Sequence, residues 1–157
     1  MSNTRTGGGQ ANHTGAQLED TISRILESSG YSFVDRSRFT VATYLEQPVF
    51  SRQFFIESGI YESPVKVDFI IYHPKKWPNR LMIEAKWQQA SGSTDEKFPY
   101  LVTNIREFYG CETVVVLAGD GSRPGAVKWL RKQVGERLIR VFESGDEFIA
   151  WANRGRL

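Results

Sequence analysis

The sequence predicts an α/β domain with a mixed central sheet flanked by helices, in the order α-β-β-β-α-β followed by an α-β-α extension. Three observations predict it. Leu18, Ile22, Ile25 and Leu26 recur at helical spacing near the start of the chain. Three runs rich in β-branched and aromatic residues then follow one another between residues 52 and 87, separated by turn residues. Finally, residues 113–118 (TVVVLA) are continuously apolar, as a strand covered on both faces requires.

Residues 1–14 (MSNTRTGGGQANHT) hold no large apolar side chain beyond the first methionine and read as a flexible tail, leaving residues 15–157 as a single domain. The first helix is expected over about 15–29, with Gly30 ending it. Residues 31–50 show no clean period and are expected to be loop with short ordered pieces. Residues 52–56 (RQFFI), 65–72 (VKVDFIIY) and 80–87 (RLMIEAKW) are the three strands, and their short connections predict an antiparallel meander. Between the second and third, His73 to Arg80 carries two prolines and three cations and reads as a loop. Ser91 to Thr94 offers a helix cap, and Phe98, Leu101, Ile105 and Phe108 place a helix over about 94–109. After the strand at 113–118, a basic helix (124–134), a strand (137–142) and a last helix (146–153) complete the order.

At 157 residues the chain can bury one ordinary core. Its net charge of +2 is compatible with a polyanionic partner without requiring one. The lone Cys111 excludes an intrachain disulfide. With two histidines and one cysteine, a His/Cys zinc centre has too few ligands. No stretch approaches the length of a membrane span and no secretory signal is visible, so a cytoplasmic protein without a membrane partner is expected.

The chemistry is expected where acids interrupt apolar strands. Asp68 lies within VDFII and Glu84 within LMIEAK. Carboxylates are costly in a sheet core unless paired, hydrogen-bonded or bound to a metal. Strand alternation puts Glu84 and Lys86 on one face, and the hairpin between the strands can bring Asp68 beside them. Two neighbouring carboxylates repel, and a divalent ion resolves that repulsion; all-oxygen ligation suits Mg²⁺ or Mn²⁺. Lys86, two residues from such a ligand, is placed to orient an attacking water or to stabilise charge on a phosphodiester in its transition state.

An acid on the second strand, Glu-x-Lys on the third, and an αβββαβ order around them resemble the PD-(D/E)XK nuclease superfamily over roughly residues 15–118. The Pro-Asp pair of that pattern is missing here, since Val67 precedes Asp68. The resemblance implies a restriction-endonuclease-like fold, with Asp68, Glu84 and the Ala85 backbone carbonyl holding the metal and Lys86 as the catalytic lysine. It also implies that Glu19, on the first helix, contributes to the metal directly or through water; the alternative is a solvated helix-face acid, and Asp20 is a weaker candidate. Gln88, continuing the alternation as Glu-x-Lys-x-Gln, is a further catalytic candidate or a strand-end surface residue.

DNA contacts are expected from Lys75, Lys76, Trp77 and Arg80 in the loop between the strands, because that loop is expected to adjoin the strand ends carrying the acids. Lys97 and Tyr100 open the next helix and can reach a phosphate, unless Lys97 is part of a simple cap. The function that follows is a metal-dependent endonuclease of restriction, phage-defence or mobile-element type, for which a homodimer with one centre per chain is one way to cut both strands of a duplex. A Holliday-junction resolvase or other structure-specific repair nuclease is the second enzymatic reading. A catalytically degenerate nucleic-acid-binding module is the alternative of another class.

Overall fold

The structure, a computed structural model, describes residues 7–90 and 92–157. Helix α1 (Gly7–Ser28) is followed by β1 (Ser32–Phe33), the short helix α2 (Phe39–Ala42), and strands β2 (Val49–Ile56), β3 (Val65–His73) and β4 (Trp77–Trp87). Helix α3 (Phe98–Glu107), strand β5 (Glu112–Ala118), helix α4 (Pro124–Lys132), strand β6 (Leu138–Phe142) and helix α5 (Gly145–Trp151) complete it. The six strands form one mixed sheet in sequence order. β2, β3 and β4 are the antiparallel meander the short turns predict, while β4, β5 and β6 run parallel, joined by crossovers that contain α3 and α4. The expected C-terminal extension is therefore not an appendage: β6 belongs to the same sheet.

Helices cover both faces, and β5 shows the result most plainly. Val114 and Val116 pack with Leu18, Ile22 and Leu26 of α1 and Phe148 and Trp151 of α5. Val115 and Leu117 pack with Phe98, Leu101 and Ile105 of α3 and Leu130 of α4. Two apolar faces leave no position for polar alternation, so the strand reads as a continuous apolar run.

Several boundaries depart from expectation, the starts of β2 at Val49 and β4 at Trp77 among them. Helix α1 begins at Gly7, not near Gly15; apolar periodicity marks only the turns that pack on the sheet, and residues 7–14 carry no such period. The part of the expected tail over 1–6 lies outside the described residues. The stretch 31–50 contributes β1, which pairs parallel with the start of β2. The expected helix over 94–109 starts as a 3₁₀ turn, Asp95–Lys97, and Thr94 makes no side-chain cap bond. Asp95 is instead buried against Arg123, which binds it through Nε at 2.8 Å and Nη2 at 3.0 Å.

Candidate active site

The site lies where the pleat of the meander reverses. Arg52 pairs with Phe69, and the guanidinium stands 5.6 Å over that ring on the α1 face. Two residues on, Phe54 pairs with Val67, yet both pack on the α3 face. Regular strands keep residues two apart on one side. Gln53 between them takes φ +52°, a left-handed conformation that costs a non-glycine residue on the order of 1 kcal/mol or more. Asp68 is the residue facing this break. Its side chain turns toward β4, where Oδ2 accepts the Ala85 N–H at 2.7 Å. A carboxylate thus stands where a backbone ladder bond would have been, β3 and β4 part, and a cleft of about 490 Å³ opens beside Glu84, Ala85 and Lys86.

Glu84 alternates with Met82 on β4 and so points to the α3 face, where it is 1 % exposed. Its Oε2 accepts from Lys86 Nζ at 3.0 Å, and its Oε1 accepts the Tyr109 hydroxyl. The same ammonium lies 3.9 Å from Asp68 Oδ2, so both carboxylates converge on one cation. Burial pushes the Glu84 carboxyl up to about 7; Lys86 opposes that, the Asp68 charge adds to it, and the Tyr109 bond opposes it. Burial works against the Lys86 charge, but the two carboxylates outweigh it and hold the amine above its ordinary range. Burial and the facing carboxylates likewise keep the Tyr109 phenol protonated, so it remains a donor. Tyr109 has no motif that marks it in the sequence, because it lies just beyond α3, twenty-five residues from its partner.

Lys97 and Tyr100, from the start of α3, line the same cleft, as sequence position suggests. Glu19 lines it too, but its Oε2 is drawn away by Arg52 at 3.1 Å and Gln53 Nε2 at 3.2 Å. Among the described residues no three His, Cys, Asp or Glu side chains group as a metal-holding set. The weaker candidate, Asp20, pairs with the same arginine at 3.1 Å and is more exposed.

The other expected site residues lie elsewhere. Gln88 is on the anticipated face, but its amide is a structural clamp: Oε1 accepts the Asp95 N–H at 3.0 Å and Nε2 donates to the Gly121 carbonyl at 3.1 Å. It does not line the cleft. Beside it, Gly119 takes φ +83°, and a Cβ there would stand 2.3 Å from the Gln88 carbonyl oxygen. The expectation that the His73–Arg80 segment adjoins the acids is overturned by the direction of the hairpin. Its turn sits at the opposite end of β3 and β4 from Asp68 and Glu84, and the seven strand steps from Trp77 to Glu84 span roughly 23 Å. Only Pro74, Lys75 and Lys76 separate the strands, with His73 Nδ1 accepting the N–H groups of both lysines at 3.1 Å. Trp77 packs against Trp151 and donates to the Arg156 carbonyl, Lys76 bonds the Leu157 carbonyl, and Arg80 lies 5.6 Å over Phe39. These side chains hold the C-terminal segment and α2.

The donor set fits a hard divalent ion. Two convergent carboxylates and a peptide carbonyl are all oxygen, and Mg²⁺ commonly takes one or two carboxylates and keeps several waters. In the comparisons with known proteins, a family model described as PD-(D/E)XK nuclease superfamily domain matches residues 10–156. No curated protein and no solved structure matches the chain.

Proposed function

This chain belongs to the PD-(D/E)XK nuclease superfamily, and on that premise we propose that it is a Mg²⁺- or Mn²⁺-dependent deoxyribonuclease, an endonuclease of restriction, phage-defence or mobile-element type. The observation that carries the reading is the convergence of Asp68 and Glu84 on a single ammonium, 3.9 and 3.0 Å from Lys86 Nζ, at the point where β3 and β4 part. That arrangement costs an unusual backbone conformation at Gln53 and a carboxylate buried to 1 % exposure. A fold keeps such features when a site needs them.

Asp68, Glu84 and the Ala85 carbonyl would hold the ion, which lowers the pKa of a water and neutralises charge growing on the phosphate. Asp68 Oδ2, held by the Ala85 N–H, keeps the two carboxylates in register without relying on side-chain packing. Tyr109 holds Glu84 Oε1, while Oε2 accepts from Lys86. Lys86 supplies a positive charge beside that oxygen and can orient the attacking water or bind a non-bridging phosphate oxygen. Glu19, tethered by Arg52 and Gln53, would act through water.

The test is nicking of supercoiled plasmid with Mn²⁺, Mg²⁺ or chelator, comparing wild type with Lys86→Ala. Metal-dependent nicking that the variant loses, with DNA binding retained, is expected. A wild-type protein that binds DNA but never cuts it with either metal would sink the enzymatic reading.

A further inference from the structure

We propose that the Tyr61–Tyr100 stack at the mouth of the cleft is a nucleobase platform, and that the strand cut here is single-stranded DNA, or a DNA end or branch, with an unpaired base beside the scissile phosphate. The inference rests on the nuclease reading and adds its substrate class.

The two rings are stacked, with centroids 5.3 Å apart and planes 18° from parallel. Tyr61 is 74 % exposed and Tyr100 37 %, so Tyr61 is the outer ring and keeps a face open to solvent. Tyr100 lines the cleft that contains Glu84 and Lys86, which puts the stack beside the reacting groups. Lys66 and Lys97, both exposed, line the same cleft and supply the cations that a phosphate chain needs on its way to the site.

Tyr61 is not left to wander. Its loop between β2 and β3 is closed by the Gly59 N–H on the Ser63 carbonyl at 2.9 Å and the Glu62 N–H on the Gly59 carbonyl at 3.0 Å. The fully buried Asn104 of α3 accepts the neighbouring Ile60 N–H at 2.9 Å. Gly59 packs so closely that a Cβ would stand 2.3 Å from Val65 Cγ2 and 2.6 Å from Asn104 Oδ1. The loop is thus pinned to the helix that carries Tyr100, and the outer tyrosine face is presented at a set position. In B-form duplex every base face is already stacked on its neighbours and cannot meet a tyrosine ring; a frayed, flipped or single-stranded base can. Stacking on an aromatic face with cations tracking the backbone is how unpaired strands are held without reading sequence.

The experiment measures binding in Ca²⁺ of a single-stranded oligonucleotide carrying 2-aminopurine and of its duplex, to wild type, Tyr61→Ala and Tyr61→Trp. Tyr61→Ala should weaken single-strand binding by a factor of roughly ten and reduce 2-aminopurine quenching, leaving duplex binding unchanged. Tyr61→Trp should restore both. Single-strand binding unaffected by Tyr61→Ala, or single-strand and duplex binding weakened alike, overturns the platform. Mn²⁺-dependent cleavage of the same single-stranded oligonucleotide separates this from the premise: cleavage that survives while Tyr61 proves irrelevant overturns the platform alone. Tyr61-dependent single-strand binding in a wild-type protein that cuts nothing supports the platform and overturns the nuclease reading.

Discussion

Replacing Glu84 by glutamine should make the metal-free protein more stable than wild type at pH 8 and no more stable at pH 4. Glutamine has the shape of the protonated acid and keeps an oxygen for the Tyr109 hydroxyl. In the folded protein the Glu84 carboxyl titrates at about 7, against 4.5 for the ordinary side chain. A folded pKa raised above the unfolded one gives stability that is fully present below the unfolded value. It is lost as pH rises through the folded value, here between about 4.5 and 7. Carrying the carboxyl from 4.5 to about 7 corresponds to roughly 3 kcal/mol, which already includes the attraction of Lys86. Above pH 7 wild type carries that cost and Glu84→Gln does not. For a domain of this size the difference is on the order of 5–10 °C in melting temperature. Thermal melts of both proteins at several pH values in chelator measure it. Adding Mg²⁺ or Mn²⁺ should raise the wild-type melting temperature at pH 8 and do little for the variant, because the ion would offset the buried Glu84 charge that glutamine lacks. A variant less stable than wild type at pH 8 in chelator, or a difference that ignores pH, would refute the claim that Glu84 is held ionised against its surroundings.

Two further outcomes are expected from neighbouring groups. Tyr109→Phe removes the donor that holds Glu84 Oε1 in its charged form, so the acid limb of metal-dependent nicking should move to higher pH; an unmoved pH profile would show that Tyr109 only packs. Gln88→Ala leaves the Asp95 N–H and the Gly121 carbonyl without their partner, and denaturant unfolding should show a loss of about 1–3 kcal/mol. Cleavage per folded molecule should stay at the wild-type rate, and a selective collapse of turnover at unchanged stability would return Gln88 to the catalytic group.

Local patterns carried much of this protein. Period-2 alternation put Glu84 and Lys86 on one face, and both point into the cleft. The continuous apolar run at 113–118 identified a strand covered by helices on both sides, which is where β5 lies. An acid inside the apolar stretch VDFII was costly enough to mark Asp68 before any contact was known. Local chemistry misled where a residue type suits two environments. Lys76 and Trp77 near the hairpin suit nucleic acid equally well, but they hold the C-terminal segment. Gln88 kept the right alternation and met Asp95 and Gly121 instead of the cleft.

By itself, then, the sequence determined the Asp-Glu-Lys set and the αβββαβ order, because both follow from periods of two and 3.6 residues and from the cost of burying charge. Tertiary structure alone decided how those three residues meet and what stands around them. The reversal of the pleat at Gln53 lets Asp68 reach the Ala85 N–H, and Tyr109 arrives at Glu84 from the far end of a helix. Arg52 draws Glu19 aside, and the hairpin carries its lysines to the distant end of the sheet. Each of these depends on partners tens of residues apart in the chain, whose meeting is set by strand register and helix packing and has no local period to announce it.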